Sequence, residues 1–346
     1  MKNILKNGKP VFVAEISANH NGKLSNALKL IDHAKKYGAD FVKLQTYTAD
    51  TMTIKSNRRE FKIKKGLWKN KTLWDLYKKA QTPFEWQQKL FKYAKKKKIW
   101  CFSTTFDFSA IEILEDLNCP IYKIASFEIT HLPLIQSAAS TKKPIIISTG
   151  TASLKEIDEA YNCAYKYGSK EIYLLYCITN YPAKTTDFNL KNISLLKNRY
   201  SCEVGLSDHS KGSEIAKLAY ASGAKIFEKH IALKDVVGPD YEFSLKEKEI
   251  KNYAQDLKKV YSLFKIEGFD RKKTENFYKK YRRSIYAIKD IKPNDHFTED
   301  NLKIIKPANG IEPKFFDFIL KKKSHTFIKK NTSITKKILI NLKKKR

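Results

Sequence analysis

Apolar segments alternate with amphipathic segments along most of the chain. Eight segments are rich in β-branched and aromatic residues, as buried strands are: residues 11–17, 40–46, 99–105, 121–126, 144–150, 171–177, 202–208 and 225–231. Between them, residues 24–37, 84–97, 154–167 and 214–222 repeat apolar side chains at helical spacing. Strands that alternate with helices form parallel sheets with right-handed crossovers. Eight such units in about 250 residues predict an α/β fold of the (β/α)8 TIM barrel type.

The pattern changes towards the end of the chain. After residue 283 the apolar runs become short and are separated by turn sequences such as Asn309-Gly310. We therefore expect a barrel over residues 1–266, a lysine-rich linker over 267–283 and a small β-rich domain over 284–346. A second irregularity is the long segment 47–83, which contains Trp68 and Trp74. Such a segment either shapes a pocket or an interface at the reactive face, or packs its aromatic residues on the barrel side as a surface insertion.

The composition argues against several classes of function. The net charge is +32, but only seven of the 68 basic residues are arginine, and the lysines are spread over every predicted helix. Because a nucleic-acid surface is expected to concentrate arginine and aromatic residues in one stripe, we interpret the charge as solvated helix faces. No apolar run approaches the ~18 residues of a membrane span. No GxGxxG or GxxxxGK[ST] motif follows a predicted strand, so we expect no nucleotide-binding fold. From the charge distribution and the apolar run lengths we expect no nucleic-acid partner and no membrane partner.

The cysteines indicate a reducing compartment. They are odd in number, widely spaced and without a CxxC pair: Cys101, Cys119, Cys163, Cys177 and Cys202. This pattern is typical of free thiols and not of a disulfide framework or a zinc knuckle. The first ten residues lead directly into a predicted strand without a signal-peptide cleavage pattern. We therefore expect a cytoplasmic protein.

Polar residues follow or end each of the eight predicted strands. In order along the chain they are Glu15, Asn19 and His20; Lys43 and Gln45; Ser103 and Thr104; Lys123, Ser126 and Glu128; Ser148 and Thr149; Thr179 and Tyr181; Ser207, Asp208 and His209; and Glu228 and His230. The carboxyl ends of barrel strands converge on one face, and barrel enzymes hold their active sites there. The sequence therefore predicts one reactive mouth that contains lysines, histidines, carboxylates and hydroxyl groups.

Two kinds of binding site are expected at this mouth. His209 and His230 stand at the ends of neighbouring strands and are expected to hold a divalent cation with an open coordination position. Lys43 and Lys123 lie in apolar strands, where an unpaired ammonium costs several kcal/mol, so they require anionic partners. A phosphate or carboxylate of a substrate is one such partner, and pairing with Glu15 or Glu128 is the alternative.

Seven motifs then reveal a family resemblance. AEISANHNG, VKLQTYT, FSTTF, YKIASFE, IISTG, GLSDH and EKH occur in the order and spacing of the sialic acid synthase family, over nearly the whole chain. SANH, QTYTADTMT and GLWKNKTLWDLYKKAQTPFEW look most like the pseudaminic acid synthase branch, whereas Gly238-Pro239-Asp240 looks more like the neuraminate and legionaminate branches. The C-terminal part resembles that family's antifreeze-like (SAF) domain.

The resemblance implies a reaction and a cofactor. Phosphoenolpyruvate would condense with an N-acetylated amino-sugar aldehyde to a nine-carbon 3-deoxy-2-ketoacid, with release of phosphate. The implied cofactor is Mn²⁺, or a similar divalent ion such as Mg²⁺ or Co²⁺. By analogy with the family we expect a homodimer in which the SAF domain covers the neighbouring subunit's site.

The resemblance also implies roles for matching residues. The metal ligands would be His209 and His230, and the catalytic groups Glu15, Lys43, Lys123 and Glu128, with Glu15 directing the attacking water. Phosphoenolpyruvate would contact Lys43, Thr104, Lys123, Ser126, Ser148, Thr179 and Ser207, and the sugar would contact Glu15, Gln45, Tyr181, Asp240 and Lys306. Two positions depart from the family: Thr179 stands where the neuraminate branch has Asn, and Lys306 stands where the family has Arg. Lysine keeps the charge of that arginine but not its bidentate geometry.

Other functions remain open at this point. A barrel that makes 3-deoxy-octulosonate or 3-deoxy-heptulosonate phosphates would use the same phosphoenolpyruvate chemistry with a phosphorylated sugar. A non-catalytic carbohydrate- or nucleic-acid-binding protein would instead show steeply salt-dependent binding and no metal requirement.

Overall fold

Eight parallel strands close into a barrel because the first strand pairs with both the second and the eighth. The computed structural model describes residues 8–266, 268–269 and 272–340. The barrel strands are β1 Val11–Glu15, β2 Phe41–Thr46, β3 Trp100–Thr105, β4 Tyr122–Ile124, β5 Ile145–Ser148, β6 Ile172–Cys177, β7 Val204–Asp208 and β8 Ile226–Ala232. A two-residue strand, β9 Leu245–Lys246, adds to β8. The predicted (β/α)8 barrel is confirmed.

The barrel strands are nearly continuous apolar runs because both of their faces are buried. Ile145, Ile146 and Ile147 of β5 are fully buried, as are Leu174 and Leu175 of β6. Strands covered by helices on one face and by the barrel interior on the other are expected to have this composition. The ends of the predicted strands lie within three residues of the observed ends. The predicted strands were too long mainly where polar residues follow the last paired residue of a strand.

Long helices surround the barrel and pack on it through one apolar face. They are α1 Leu24–Tyr37, α2 Leu73–Ala80, α3 Phe84–Lys96, α4 Phe108–Asp116, α5 Leu132–Ser140, α6 Leu154–Lys166, α7 Lys191–Tyr200, α8 Glu214–Ala221 and α9 Glu247–Phe264. Their ends follow local chemistry: Ser153 and Glu156 form a capping box at the start of α6. Gly38 ends α1 in the left-handed region, at φ 96°.

Short helical turns complete the first unit, Met1–Ile266. They are the one-turn helix Ala49–Met52 and the 3-10 turns Ser17–His20, Arg59–Phe61, Ser126–Glu128, Thr185–Asp187 and Tyr241–Phe243. The segment between β2 and α3 therefore has its own structure. Within it, Lys62 and Thr72 form an antiparallel bridge that closes a loop containing Trp68.

The second unit, Glu267–Arg346, has its own small core. Strands β10 Ser284–Ala287 and β11 Leu302–Ile305 pair antiparallel around buried residues that include Ile285, Phe297 and Ile319. Its helical turns are Lys273–Asn276, Phe277–Tyr281, Pro313–Phe315, Phe316–Leu320 and Lys336–Ile340. Asn294 and Asn331 hold left-handed positions at φ 73° and 66°, so asparagine serves at two turns where glycine would be expected. The assignment of this unit to the SAF family stays a prediction.

Two compositional expectations have structural counterparts. Among the described residues, no helix combines the length and the apolar character that a bilayer crossing requires. All five cysteines are unpaired thiols, with Cys101, Cys119 and Cys177 buried.

Candidate active site

Six charged or hydroxyl side chains meet inside the carboxyl end of the barrel. This mouth cluster consists of Glu15, Lys43, Thr104, Lys123, Ser207 and Glu228. None of the six is more than 4% exposed. The cluster forms because successive strand residues alternate between the two faces of the sheet, and these residues lie on the inner face near the strand ends.

Lys43 lies at the centre of the mouth cluster. It forms an ion pair with Glu15, its register partner on β1, and approaches Glu228 Oε1 at 3.6 Å. Its Nζ also donates to Thr104 Oγ1 at 2.8 Å. Burial lowers the pKa of Lys43, but the two carboxylates outweigh burial and raise it above its usual range. The ammonium therefore stays charged.

Both lysines have protein partners, and for Lys43 the partner is one that the alternative interpretation of the sequence named. Pairing with Glu15 was only the alternative there, yet Lys43 makes that pair. Glu128, the other carboxylate considered, forms no ion pair with either lysine within the described residues. Instead Lys123 approaches Glu228 Oε1 at 3.4 Å, and burial lowers the pKa of Lys123.

Sequence reasoning expected Glu228 at the mouth but gave it no role, and the structure places it between the two lysines. One of its oxygens is shared by Lys43, Lys123 and the Ser207 hydroxyl, which donates at 3.3 Å. Burial alone would raise the pKa of Glu228, but Lys123 and Lys43 lower it to about 2. The EKH motif indicates this position, because Glu228 and His230 are two residues apart on β8 and therefore lie on the same inner face.

Several polar atoms at the mouth are buried without a hydrogen-bond partner in the described part of the chain. They are Glu15 Oε1, Glu128 Oε2, Ser148 Oγ, Glu228 Oε2 and His230 Nδ1. Buried polar atoms are nearly always satisfied in folded proteins, so a group of orphaned atoms at one place indicates a site for a polar ligand.

Gly150 brings two further hydroxyl groups together. Its backbone N–H donates to Ser126 Oγ at 3.1 Å. A Cβ at this position would lie 2.7 Å from Ser126 Oγ and 2.9 Å from Thr179 Oγ1. Only glycine therefore leaves room for both hydroxyls beside the backbone, at the end of β5.

The two histidines are neighbours, as expected from the strand order. The ring centroids of His209 and His230 are 5.5 Å apart. Nδ1 of His209 lies 2.9 Å from the Ile178 carbonyl, which favours a proton on Nδ1 and leaves Nε2 free for a ligand. His230 Nδ1 lies 3.5 Å from Asp240 Oδ2, and Asp240 accepts a hydrogen bond from Ser17 at 2.5 Å.

His209 and His230 provide two neighbouring imidazoles, a type of ligand that divalent cations accept. Two neutral imidazoles beside a carboxylate are suitable ligands for Mn²⁺ or a similar ion. Residues 8–266, 268–269 and 272–340 contain no group of three or more His, Cys, Asp or Glu side chains arranged around a metal position.

Aromatic rings form one wall of the mouth. Tyr181 lies 4.4 Å from His209 and 5.0 Å from Phe243, measured between ring centroids. Trp68, from the insertion after β2, lies 5.6 Å from Tyr181 and donates its indole N–H to the Pro239 carbonyl at 3.0 Å. The insertion therefore contributes to the mouth, which favours the first of its two interpretations.

Two of the remaining predicted residues belong to the barrel and one belongs to the second unit. Gln45 is half-buried at the end of β2, and Glu128 ends the 3-10 turn after β4. Burial raises the pKa of Glu128 to about 7, partly offset by its own backbone N–H and by Lys123. Lys306 belongs to the second unit, where it is exposed directly after β11.

A second buried ion pair lies on the outer face of the same strands. Asp208 of β7 and Lys229 of β8 are 3.1 Å apart and both side chains are 0% exposed. Asp208 also accepts hydrogen bonds from the Ser210 backbone at 2.9 Å, the Ser210 hydroxyl at 2.6 Å and the Tyr253 hydroxyl at 3.2 Å. We call Asp208 and Lys229 the outer pair.

Comparison with known proteins adds independent findings. The profile of the NeuB family matches residues 30–267. A pseudaminic acid synthase of Helicobacter pylori is 42% identical over 94% of this chain and 96% of its own length. An N,N'-diacetyllegionaminic acid synthase of Campylobacter jejuni is 38% identical over 91% of this chain and 95% of its own. Among solved structures, an N-acetylneuraminic acid synthetase of Leptospira borgpetersenii in complex with citrate superposes with a TM-score of 0.69 at 32% identity, covering 78% of this chain and 90% of that one.

Proposed function

Because this chain belongs to the NeuB family, we propose that it condenses phosphoenolpyruvate with an N-acetylated amino-sugar aldehyde. The product is a nine-carbon 3-deoxy-2-ketoacid, and phosphate is released. The main structural support is the convergence of two buried ammonium groups, Lys43 and Lys123, on one carboxylate oxygen at a mouth that also holds two histidines.

In this proposal the mouth cluster binds the anionic substrate. Phosphoenolpyruvate carries a carboxylate and a phosphate, and Lys123 has only the 3.4 Å contact with Glu228 as its described ion pair. A substrate anion would supply the missing partner in a site sheltered from water, where charges interact strongly. The hydroxyl groups proposed to donate to the same anion are those of Thr104, Ser126, Ser148, Thr179 and Ser207.

His209 and His230 would hold the divalent cation, Mn²⁺ or a similar ion such as Mg²⁺ or Co²⁺. When bound, that ion supplies Lewis-acid polarisation of the acceptor's carbonyl oxygen. The Ile178 carbonyl orients His209, so that this imidazole would present Nε2, and His230 lies beside it with Nδ1 3.5 Å from Asp240 Oδ2.

The bonds that form and break in this reaction require a proton acceptor at the site. The methylene carbon of phosphoenolpyruvate attacks the aldehyde carbon, and the aldehyde oxygen becomes a hydroxyl. Water adds to the carbon that bears the phosphate, and phosphate leaves with its bridging oxygen, so that a keto group remains. In this proposal Glu15 takes the proton of that water, and the burial of its Oε1 without a hydrogen-bond partner in the described chain supports this role. Burial raises the pKa of Glu15 against the effect of Lys43, which suits a proton acceptor better than an ordinary carboxylate does.

We propose that the acceptor is the precursor of pseudaminic acid, because the Helicobacter pylori relative is named a pseudaminic acid synthase. Gln45, Glu128, Tyr181 and Asp240 are the barrel residues proposed to face the sugar or the reacting centre. We further propose that the second unit is a SAF domain, that the protein is a homodimer, and that Lys306 reaches the neighbouring subunit's sugar site. The free thiols support an assignment to the cytoplasm.

The test is phosphate release from phosphoenolpyruvate with Mn²⁺, in which the precursors of pseudaminate, legionaminate and neuraminate are each offered in turn. We expect turnover with at least one of them and the highest kcat/KM with the pseudaminate precursor. Activity with none of the three, together with activity on a phosphorylated pentose, would overturn the proposal in favour of an octulosonate phosphate synthase.

A further inference from the structure

Trp68 reaches the barrel mouth from a segment that is distant in sequence. The loop that contains it is closed by two backbone hydrogen bonds, from Ile63 N to Lys71 O at 2.9 Å and from Asn70 N to Ile63 O at 3.0 Å. Gly66 and Asn70 take left-handed conformations, with φ 83° and 72°, that reverse the chain around Trp68. The ring is therefore presented by a defined turn.

The acceptor of the Trp68 hydrogen bond is itself fixed on the barrel. Gly238, directly before Pro239, approaches so closely that a Cβ there would lie 2.7 Å from the Asn19 Cα. Asn19 in turn donates to the Ile231 carbonyl at 2.9 Å and to Ser244 at 2.8 Å. The Pro239 carbonyl is thus held by the ends of β1 and β8, and it holds Trp68 in one place.

This hydrogen bond decides which part of Trp68 remains for a ligand. The indole N–H is the only hydrogen-bond group of the tryptophan side chain, and the Pro239 carbonyl occupies it at 3.0 Å. The rest of the half-buried ring is apolar. Tyr181 and Phe243 continue the aromatic surface from Trp68 to His209 and His230.

We infer that Trp68 is a specificity-determining wall of the acceptor subsite that selects deoxygenated, N-acylated amino sugars over fully hydroxylated ones. The inference rests on the proposed function. An acceptor whose aldehyde lies beside His209 and His230 extends along Tyr181 towards Trp68. A hydroxyl group placed against the indole face finds no donor or acceptor there and loses its water, whereas a deoxy carbon or an acyl methyl group packs on it.

The experiment compares two acceptors with the full-length protein, Mn²⁺ and phosphoenolpyruvate. One acceptor is a diacetamido-trideoxyhexose and the other is N-acetylmannosamine, and the measured quantity is the ratio of their kcat/KM values. Trp68→Ala is expected to lower this ratio by about tenfold or more, because lost apolar contacts of this size discriminate by 10- to 200-fold. The KM for phosphoenolpyruvate, which reports an intact mouth cluster, is expected to stay within about twofold.

Three further variants separate the ring surface from other effects. Trp68→Phe keeps an aromatic face and is expected to retain most of the ratio, whereas Trp68→His offers a polar ring and is expected to lower it. Trp74→Ala is the matched control, because Trp74 lies in the same insertion and its indole donates to Asp50 at 2.9 Å, within that insertion. We expect this control to keep the wild-type ratio.

The outcomes distinguish the two levels of the proposal. An active wild type whose ratio is unchanged in Trp68→Ala and Trp68→His would overturn the inference alone. The same holds if Trp68→Phe loses as much of the ratio as Trp68→Ala, because anchoring of the loop would then be sufficient. A wild type that releases no phosphate with either sugar would overturn the proposed function itself, and the inference with it.

Discussion

Strands β7 and β8 bury charge on both of their faces, and the two faces satisfy it very differently. On the outer face, Asp208 and Lys229 lie 3.1 Å apart at 0% exposure. On the inner face, Glu228 meets Lys43 at 3.6 Å and Lys123 at 3.4 Å, which are looser contacts. Adjacent residues of the same two strands therefore form a tight ion pair on the outer face and an incompletely paired cluster on the inner face.

The difference extends to the hydrogen bonds around each group. Both oxygens of Asp208 accept bonds from neighbouring groups, including Ser210 and Tyr253. At the mouth, Glu228 Oε2 and Ser148 Oγ are buried without a hydrogen-bond partner in the described part of the chain. A buried ion pair that the protein satisfies completely is costly to break, whereas a buried charge that it leaves incompletely satisfied is suited to a ligand.

The largest expected effect comes from removing a charge of the mouth cluster. Lys123→Met should lower kcat/KM for phosphoenolpyruvate by about 10³- to 10⁴-fold, since a charged contact in a buried site is lost. Its free energy of unfolding should fall by less than in a variant that removes the only cation of a buried pair, because Glu228 keeps Lys43 at 3.6 Å and burial disfavours the Lys123 ammonium itself. The measurements are steady-state phosphate release and urea unfolding; a variant with normal turnover would contradict the assignment.

Removing a charge of the outer pair should lower the stability of the fold and largely preserve the activity. Lys229→Met leaves Asp208 buried without its cation, so the free energy of unfolding should fall by about 3–5 kcal/mol. Where the variant remains folded, its kcat/KM should stay within about tenfold of the wild type. Adding Asp208→Asn should recover part of the lost stability, which a double-mutant cycle measures. If Lys229→Met resembled Lys123→Met in both assays, the distinction between the two faces would be wrong.

A smaller effect is expected from Glu128, whose pKa burial raises to about 7. A carboxyl with a raised pKa binds its proton more tightly in the folded state, so the stability it contributes is present below pH ~4.5 and is lost as pH rises through ~7. Glu128→Gln removes this titration. The variant should therefore be more stable than the wild type at pH 8, by up to about 3 kcal/mol, and close to it at pH 4.5.

Denaturant unfolding of both proteins across this pH range measures the difference. Equal stability curves would show that Glu128 ionises as an ordinary exposed carboxyl. A variant that loses stability at pH 8 would show that the ionised carboxylate has a stabilising partner.

The barrel could be predicted from sequence because its signal is local. Strand and helix periods are read directly from apolar spacing, and the order of elements fixes the parallel sheet. Strand ends were less certain: the fourth strand stops at Ile124 because Ser126 already belongs to a 3-10 turn. Even the grouping of His209 with His230 needed only the order of strands, which the alternation of elements supplies.

The partners of the charged residues could not be predicted, because they depend on register and rotamer. Sequence order does not tell whether Lys123 meets Glu128, five positions away, or Glu228 on a distant strand, and the structure gives the second. The contact of Trp68 with Pro239 spans 171 positions and likewise has no local signal. Glu228 was expected at the mouth and lies there, whereas Asp208 was expected there too and instead pairs with Lys229 on the outer face.

Calorimetric titration of phosphoenolpyruvate in the presence of Mn²⁺ tests the central claim most directly. The incomplete mouth cluster should bind one phosphoenolpyruvate per chain in the wild type and in Lys229→Met. Lys123→Met should bind it at least about 100-fold more weakly, a difference of about 2.7 kcal/mol. Wild-type affinity in Lys123→Met would contradict the account, because the substrate anion would then bind without the ammonium group that the fold leaves least satisfied.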